Sequence, residues 1–260
     1  MTRPEGHPAD QAGPMAFVAD IAAPALGDRD VHHLVRVLRQ RVGDPLTVAD
    51  GSGRWRTARL DPSTPSSLGE LGPVSELSDV APALAIGFAL VKGDKPELIV
   101  QKLTELGVDR IVPFRAYRSV VRWDDAKAAK AVERLRAVAR AAAMQCHRPR
   151  LPVVSDVAEL DDLVAEGAAL ADRAGAAPSL GMPFVLVGPE GGWSAAEAAV
   201  PAPRVKLGGH VLRAETAALA AGVILTSLRV GIMGPTEWVR RAEPSRIRHP
   251  LWLSVPTDRD

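Results

Sequence analysis

The sequence predicts an α/β protein built on a parallel sheet, preceded by a smaller β-rich module with one helix. Three observations carry this. Two short apolar runs, Phe184–Val187 and residues 205–207, are bounded by Gly or Pro and each leads into a glycine-rich loop, as buried strands of a parallel sheet do. Between residues 83 and 146, strand-like and helix-like patterns alternate, which suits βαβ units. From residue 17 to 77, short strand-like runs are separated by turn signals instead.

In chain order, residues 1–16 read as a flexible leader, because MTRPEGHPADQAGP lacks the apolar stretch of a secretory signal. Residues 17–21 are expected as the first strand. Asp28 is a good N-cap, and Val31, Leu34, Val35 and Leu38 follow at helical spacing, so residues 28–41 read as an amphipathic helix. Its other face carries His32, Arg36, Arg39 and Arg41. Adjacent His32 and His33 share no helix face, and no carboxylate or cysteine completes a ligand set, so no metal is expected. Residues 46–49, the turn at residues 50–53 and Arg54–Leu60 form a hairpin signal. Residues 61–67 are a Pro/Ser loop, and residues 68–77 add a further strand. Trp55, between Arg54 and Arg56, suits either base stacking or a place in the core.

Residues 78–82 read as a linker, and the α/β pattern occupies residues 83–234. Residues 83–91 are a strand. Asp94 and Pro96 open a helix that Gly107 stops, and residues 110–114 are the next strand. Residues 124–146 form a long Ala-rich helix with Lys127, Lys130, Arg134 and Arg140 on its polar face. Residues 156–166 are an acidic helix, 168–171 a short strand, and 172–181 a loop. Ser194 and Glu197 make a capping-box pattern, and residues 215–229 are a final helix. Residues 235–260 read as an irregular tail.

The chain has 260 residues, 47% hydrophobic, enough to build a core. No apolar run reaches the length of about 18 residues that reads as a membrane span. Cys146 is the only cysteine, which excludes an internal disulfide and leaves a cytoplasmic location as the default. The net charge is +1, but seven Arg face three acids over residues 29–59, and twelve Lys or Arg face five acids over 102–150. Residues 155–175 hold six acids and one Arg. Such segregation makes a basic, polyanion-binding face or simply solvated helices.

The two glycine corners, Gly188-Pro189-Glu190-Gly191-Gly192 and Gly208-Gly209-His210-Val211-Leu212-Arg213, sit where open α/β sheets bind ligands. Neither a P-loop nor a G-x-G-x-x-G signature is present. Together, GPEGG and LGGHVLRAETA resemble the S-adenosylmethionine-binding end of the SPOUT superfamily, and within it the 16S ribosomal RNA uracil-N3 methyltransferase family (RsmE-type). HHLVRVLRQRVGD with LTVADGSGRW resembles that family's PUA-like RNA-binding module. KGDKPELIVQKLTELGVDRIVPFRAYRSVV and Gln145–Arg148 extend the likeness over residues 17–233. Met144 stands where the family usually has an acid.

The resemblance implies a PUA-like β-barrel over residues 17–77 and a trefoil-knotted SPOUT domain. It implies S-adenosylmethionine as cofactor, uridine N3 of 16S ribosomal RNA as target, and a homodimer. Leu186, Val187, Gly188, Pro189, Glu190, Gly191, Leu207, Gly208, Val211, Leu212, Arg213 and Thr216 are then the cofactor set. Methylating an imide nitrogen requires its proton to leave, and a cation near the base oxygens favours this. Arg213 is the candidate cation, with Glu215 or Glu190 as proton acceptor; an Arg213–Glu215 ion pair that only fixes the loop is the alternative. Arg36, Arg39, Arg41, Arg54, Arg56, Arg118, Arg122 and Arg148 are the candidate RNA contacts. A methyltransferase for another RNA, such as transfer RNA, and a non-catalytic RNA-binding assembly protein are the competing functions.

Overall fold

The computed structural model describes residues 6–61, 66–78 and 80–233; the 235–260 tail lies outside them. The chain forms two sheets. The first contains β1 (Met15–Phe17), β2 (Pro45–Ala49), β3 (Arg54–Leu60), β4 (Leu68–Gly69) and β5 (Ser75–Glu76). β1 runs parallel to β2, β2 and β3 form the expected antiparallel hairpin, and β4 and β5 both pair with β3. Asp50 organises the hairpin turn. Its carboxylate accepts from the Ser52 amide at 2.8 Å, the Ser52 hydroxyl at 2.7 Å and Arg54 Nε at 2.7 Å. Gly51 and Gly53 supply the positive φ angles, +82° and +111°.

Three expectations shift in this half. The first strand is Met15–Phe17 rather than residues 17–21, because Asp20 accepts from the Ala22 amide at 2.8 Å and turns the chain. The supposed leader therefore contains a 3₁₀ turn at Pro8–Asp10 and a buried Met15. The expected 28–41 helix is α1 (Asp28–His32), capped by Gly27 rather than Asp28, and it passes into a π-helical turn at His33–Val37. Only Leu34 of its apolar stripe is buried, Leu38 is exposed, and Arg39 adopts φ +57°; without further burial the helix has little to sustain another turn. The expected 68–77 strand is split, with β4 and β5 covering opposite ends of β3. Gly72 crosses between them, so close that a Cβ would lie 2.3 Å from the Thr57 hydroxyl.

The second sheet is wholly parallel. Its strands are β6 (Ala85–Ala89), β7 (Arg110–Arg115), β8 (Val153–Val154), β9 (Ala158–Glu159), β10 (Ala169–Ala176), β11 (Phe184–Val187) and β12 (Arg204–Val205). The order is β12-β10-β11-β6-β7-β8, with β9 also on β7. The helices are α2 (Lys95–Leu106), α3 (Asp125–Gln145), α4 (Leu160–Ala165), α5 (Ala195–Ala198) and α6 (Ala214–Arg229). The chain winds outward from β6 through β7 and β8, returns across to β10, and fills the gap beside β6 with β11. The winding reverses between β6 and β11, the place where such sheets open a crevice at their carboxyl ends.

Ile86 and Phe88 pack with Ile99 and Leu103 of α2 and with Ala218, Ala221 and Leu225 of α6. Gly222 permits that closeness, since a Cβ there would sit 2.7 Å from Leu103. On the opposite face Val112, Phe114 and Leu186 pack with Leu160, Leu163 and Trp193. Helix ends follow the sequence: Gly107 is a left-handed C-cap, Asp124 accepts from the Lys127 amide, and Ser194 with Glu197 completes the capping box. β10 extends well past residue 171, because a register shift between Ala171 and Ala176 carries the polar Asp172 and Arg173 along the strand. α4 covers only part of residues 156–166, because Ala158 and Glu159 pair with Phe114 and Arg115.

The two sheets meet at α3. Met15, Phe17, Ala49 and Trp55 pack against Ala143, so Trp55 is a core residue. Arg140 joins the halves more directly. It donates to the Phe17 carbonyl at 3.1 Å and to Asp30 at 2.8 Å, and its guanidinium lies 5.1 Å from the Phe17 ring centroid.

Candidate active site

The two glycine corners leave β11 and β12 and face each other across a cleft of about 390 Å³. Val187, Gly188, Pro189 and Glu190 line one wall, and Leu207, Gly208, Val211 and Leu212 the other. Ala171, Asp172 and Arg173 of β10 close the floor, with Ala214 and Ala217 of α6. Gly192 takes φ +68°, and open space lies around the Cβ it lacks. A Cβ on Gly208 would lie 3.7 Å from Leu212 of the cleft wall. Apolar walls, exposed backbone groups and a charged rim suit a ligand with a flat apolar part and an ionic part.

Trp193 shapes the first corner. Its ring stacks on Phe114 at 6.1 Å, its Nε1 donates to the Ala171 carbonyl at 3.0 Å, and a Cβ on Gly188 would lie 3.0 Å from the ring. Gly188 is therefore required by the indole beside it. Arg118 donates to the carbonyls of Gly191 and Trp193 at 3.3 and 3.1 Å. Lys95, in the first turn of α2, donates to Glu190 at 3.0 Å and lies 3.3 Å from Glu215. The Glu190 hydrogen bond, foremost, raises the Lys95 pKa. Burial works to raise that of Glu190, but backbone hydrogen bonding and Lys95 outweigh it and hold the carboxyl below its ordinary range.

A scan of family models matches an RNA methyltransferase domain over residues 79–226 and an RNA methyltransferase PUA domain over residues 26–66. The chain belongs to the RNA methyltransferase family. Its relatives include the ribosomal RNA small subunit methyltransferase E of Mycobacterium bovis, 35% identical over 233 residues, covering 80% of this chain and 89% of the relative. The protein of the same name from Bacillus subtilis is 32% identical, over 74% and 85% of the two chains. Among solved structures, a ribosomal RNA small subunit methyltransferase E from Neisseria gonorrhoeae bound to S-adenosylmethionine superposes with a TM-score of 0.71 at 28% identity, over 83% of this chain and 97% of that one. A methyltransferase from Legionella pneumophila with bound S-adenosylmethionine gives 0.71 at 26% identity, over 84% and 98%.

Within this family site, the structure redistributes several expected roles. Leu186 is wholly buried and packs in the opposite layer, and Gly191 lies against Arg118 rather than lining the cleft. Arg213 and Thr216 are exposed at the start of α6, outside the lining. The Arg213–Glu215 pair does not form: Glu215 meets Lys95, and Arg213 has no ion pair among the described residues. Lys95 and Trp193 are site residues the sequence reading missed. Nothing near Lys95 in the chain points to Glu190, 95 positions away, whereas Trp193 directly follows the glycine loop and was available as a signal.

The arginines divide into two sets. Arg148 is committed within the protein. It is largely buried and donates to the carbonyls of Thr104 and Val108 at 3.0 and 2.8 Å, beside Asp109. Burial, the leading influence, draws its pKa down. Arg56 is likewise committed, to the carbonyls of Gly72 and Ile21, and Arg54 pairs with Asp50. Arg36, Arg39, Arg41 and Arg122 are exposed, with no ion pair among the described residues. Those residues also hold no cluster of three His, Cys, Asp or Glu side chains fit for a metal, and no helix long and apolar enough to cross a membrane.

Proposed function

We propose that the protein transfers a methyl group from S-adenosylmethionine to N3 of a uridine in the 16S ribosomal RNA of the small subunit. The observation that carries this reading is the single cleft lined by both glycine corners, beyond the carboxyl ends of β11 and β12 and beside β10. It supports the reading together with relatives named for small-subunit ribosomal RNA methylation. The residues present fit the cofactor: apolar Val187, Leu207 and Leu212 suit an adenine, and the glycine backbone and the carboxylates at the rim suit the polar, cationic end.

When bound, S-adenosylmethionine supplies an electrophilic methyl group on a sulfonium. Unpaired Arg213, at the open end of the second corner, faces the base oxygens and stabilises the imide anion as the N3 proton leaves. Glu190 and Glu215, drawn together by Lys95, are the carboxylates within reach to take that proton. Arg36, Arg39 and Arg41 hold RNA phosphates from the N-terminal module, and Arg122 does so from the C-terminal one. Losing the Arg36 and Arg39 contacts together flattens the salt dependence of RNA binding.

A trefoil-knotted catalytic domain, a cytoplasmic location and a homodimer belong to the same proposal. Exposed Leu98 of α2 and Val223 of α6, on packed neighbouring helices, are consistent with a second copy covering that side. Incubation with S-adenosylmethionine and unmodified small-subunit RNA or particles, followed by mass mapping of nucleosides, tests the reaction. One 3-methyluridine per RNA is expected. Methylation of transfer RNA alone, or of no RNA, would refute the assignment.

A further inference from the structure

Next to the cofactor cleft, at the carboxyl end of β6, lies a second cavity of about 430 Å³. Its walls are the Lys92-Gly93 loop, Val121 and Trp123, and the Lys127, Lys130 and Arg134 side of α3. Four cations line it, and no carboxylate does. Arg134 is paired with Glu97, but Lys92, Lys127 and Lys130 are exposed and have no ion pair among the described residues. The acids of α3 beside these cations are occupied: Asp124 caps the helix through the Lys127 amide, Asp125 pairs with Arg115, and Glu133 pairs with Arg136. Lys127, Lys130 and Arg134 stand three and four residues apart on one helix face, where like charges repel and cost stability. An anion in the cavity would turn that cost into binding.

Trp123 is shared with a larger cleft of about 790 Å³ on its other side, lined also by Tyr117, Arg122, Glu159 and Asp161. Tyr117 is 75% exposed. There Glu159 and Asp161 stand in the lining beside Arg122, so the larger cleft offers acceptors for the N–H groups of a base edge. A half-buried indole thus separates a phosphate-like site from a base-like site. A duplex keeps its bases inside and cannot lay one on Trp123; an unpaired strand can.

We infer that the lysine cavity seats the phosphates of an unpaired RNA strand flanking the target nucleotide, with Trp123 as the platform on which one of its bases stacks. The inference rests on the proposal that RNA is the substrate. It accounts for the placement of Lys92 three residues before Lys95, which holds Glu190 of the cofactor cleft: the strand is led from the lysines toward the methyl donor.

The test is fluorescence anisotropy with a labelled single-stranded oligouridylate over a salt series, on full-length protein whose folding is checked by thermal melting. The double variant Lys127→Ala/Lys130→Ala should bind about tenfold or more weakly, and its log–log salt slope should fall by about 1.4, the share of two phosphate contacts to a single strand. Trp123→Ala should lose about fivefold or more, while Trp123→Phe keeps most of the affinity because a ring remains. Unchanged affinity and slope in the double variant would overturn the phosphate site. Equal losses in Trp123→Ala and Trp123→Phe would overturn the stacking role, and equally tight, Trp123-dependent binding of the oligouridylate–oligoadenylate duplex would overturn the single-strand assignment. Calorimetry with S-adenosylmethionine separates the two readings: both variants should bind it like the parent chain, and a parent chain that binds oligouridylate but no S-adenosylmethionine sinks the methyltransfer proposal alone.

Discussion

The two walls of the cleft proposed for the cofactor are built to different standards. The first corner is tied from every side: Arg118 holds two of its carbonyls, Lys95 holds Glu190, and Trp193 reaches back to β10. The Glu197 carboxylate closes it by accepting from the amides of Ser194 and Tyr117 at 2.7 and 2.8 Å. The second corner has few such ties. Open space surrounds Gly209, Val211 is 77% exposed, and Arg213 caps α6 without a side-chain hydrogen bond. A prebuilt wall fixes where a ligand sits, while a loose one must be ordered by the ligand, at an entropic cost met on binding. The chemistry is assigned to the loose wall because its arginine is uncommitted.

Four changes sharpen or break this contrast. The largest effect is expected from Arg213→Ala, which should lower kcat by about 10²–10³-fold, the size seen when an anion-stabilising donor is removed, with S-adenosylmethionine affinity and melting temperature nearly unchanged. An unaltered kcat with only a raised KM would remove Arg213 from the chemistry. Gly188→Leu should come next. Its side chain collides with Trp193, costing about 1–3 kcal/mol of stability by overpacking, and calorimetry should detect no cofactor binding. Glu197→Gln should cost about 1 kcal/mol at neutral pH through loss of the charged cap. Burial acts to raise the Glu197 pKa, but its backbone hydrogen bonds lower it on balance from an ordinary 4.5. The contribution is therefore fully present above pH 4.5, and the gap between parent and variant in denaturant melts should close as pH falls below that value. The smallest effect is expected from Gly209→Ala, within about 0.5 kcal/mol, because nothing surrounds the added methyl group; a large loss there would show that the second corner is as rigid as the first.

The difference between the corners also marks what could be read from the chain. Both loops were legible because glycine runs after apolar strands and the Ser194–Glu197 cap are local signals. The ties are not local. Lys95 finds Glu190 because β6 and β11 are neighbours in the sheet, and Glu215 because α2 packs on α6; both adjacencies follow from the winding order. The internal partners of Arg148 and Arg56 are hidden for a related reason: counting charges cannot tell a guanidinium bonded to carbonyls from one left in solvent. β10 was read short because Asp172 and Arg173 interrupt an apolar pattern, although a strand with a register shift accommodates them. The 28–41 helix was read long because its apolar spacing continues after the burial that would sustain it has ended.

Calorimetric titration of S-adenosylmethionine into the parent chain, Gly188→Leu and Gly208→Leu puts the shared cleft to the most direct trial. One site per chain is predicted in the parent, and none in either variant, since Gly188→Leu displaces the Trp193 ring that lines the cleft and Gly208→Leu adds bulk beside Leu212 on the other wall. Absence of binding in the parent, or undiminished binding in both variants, would show that the two corners do not hold the methyl donor between them.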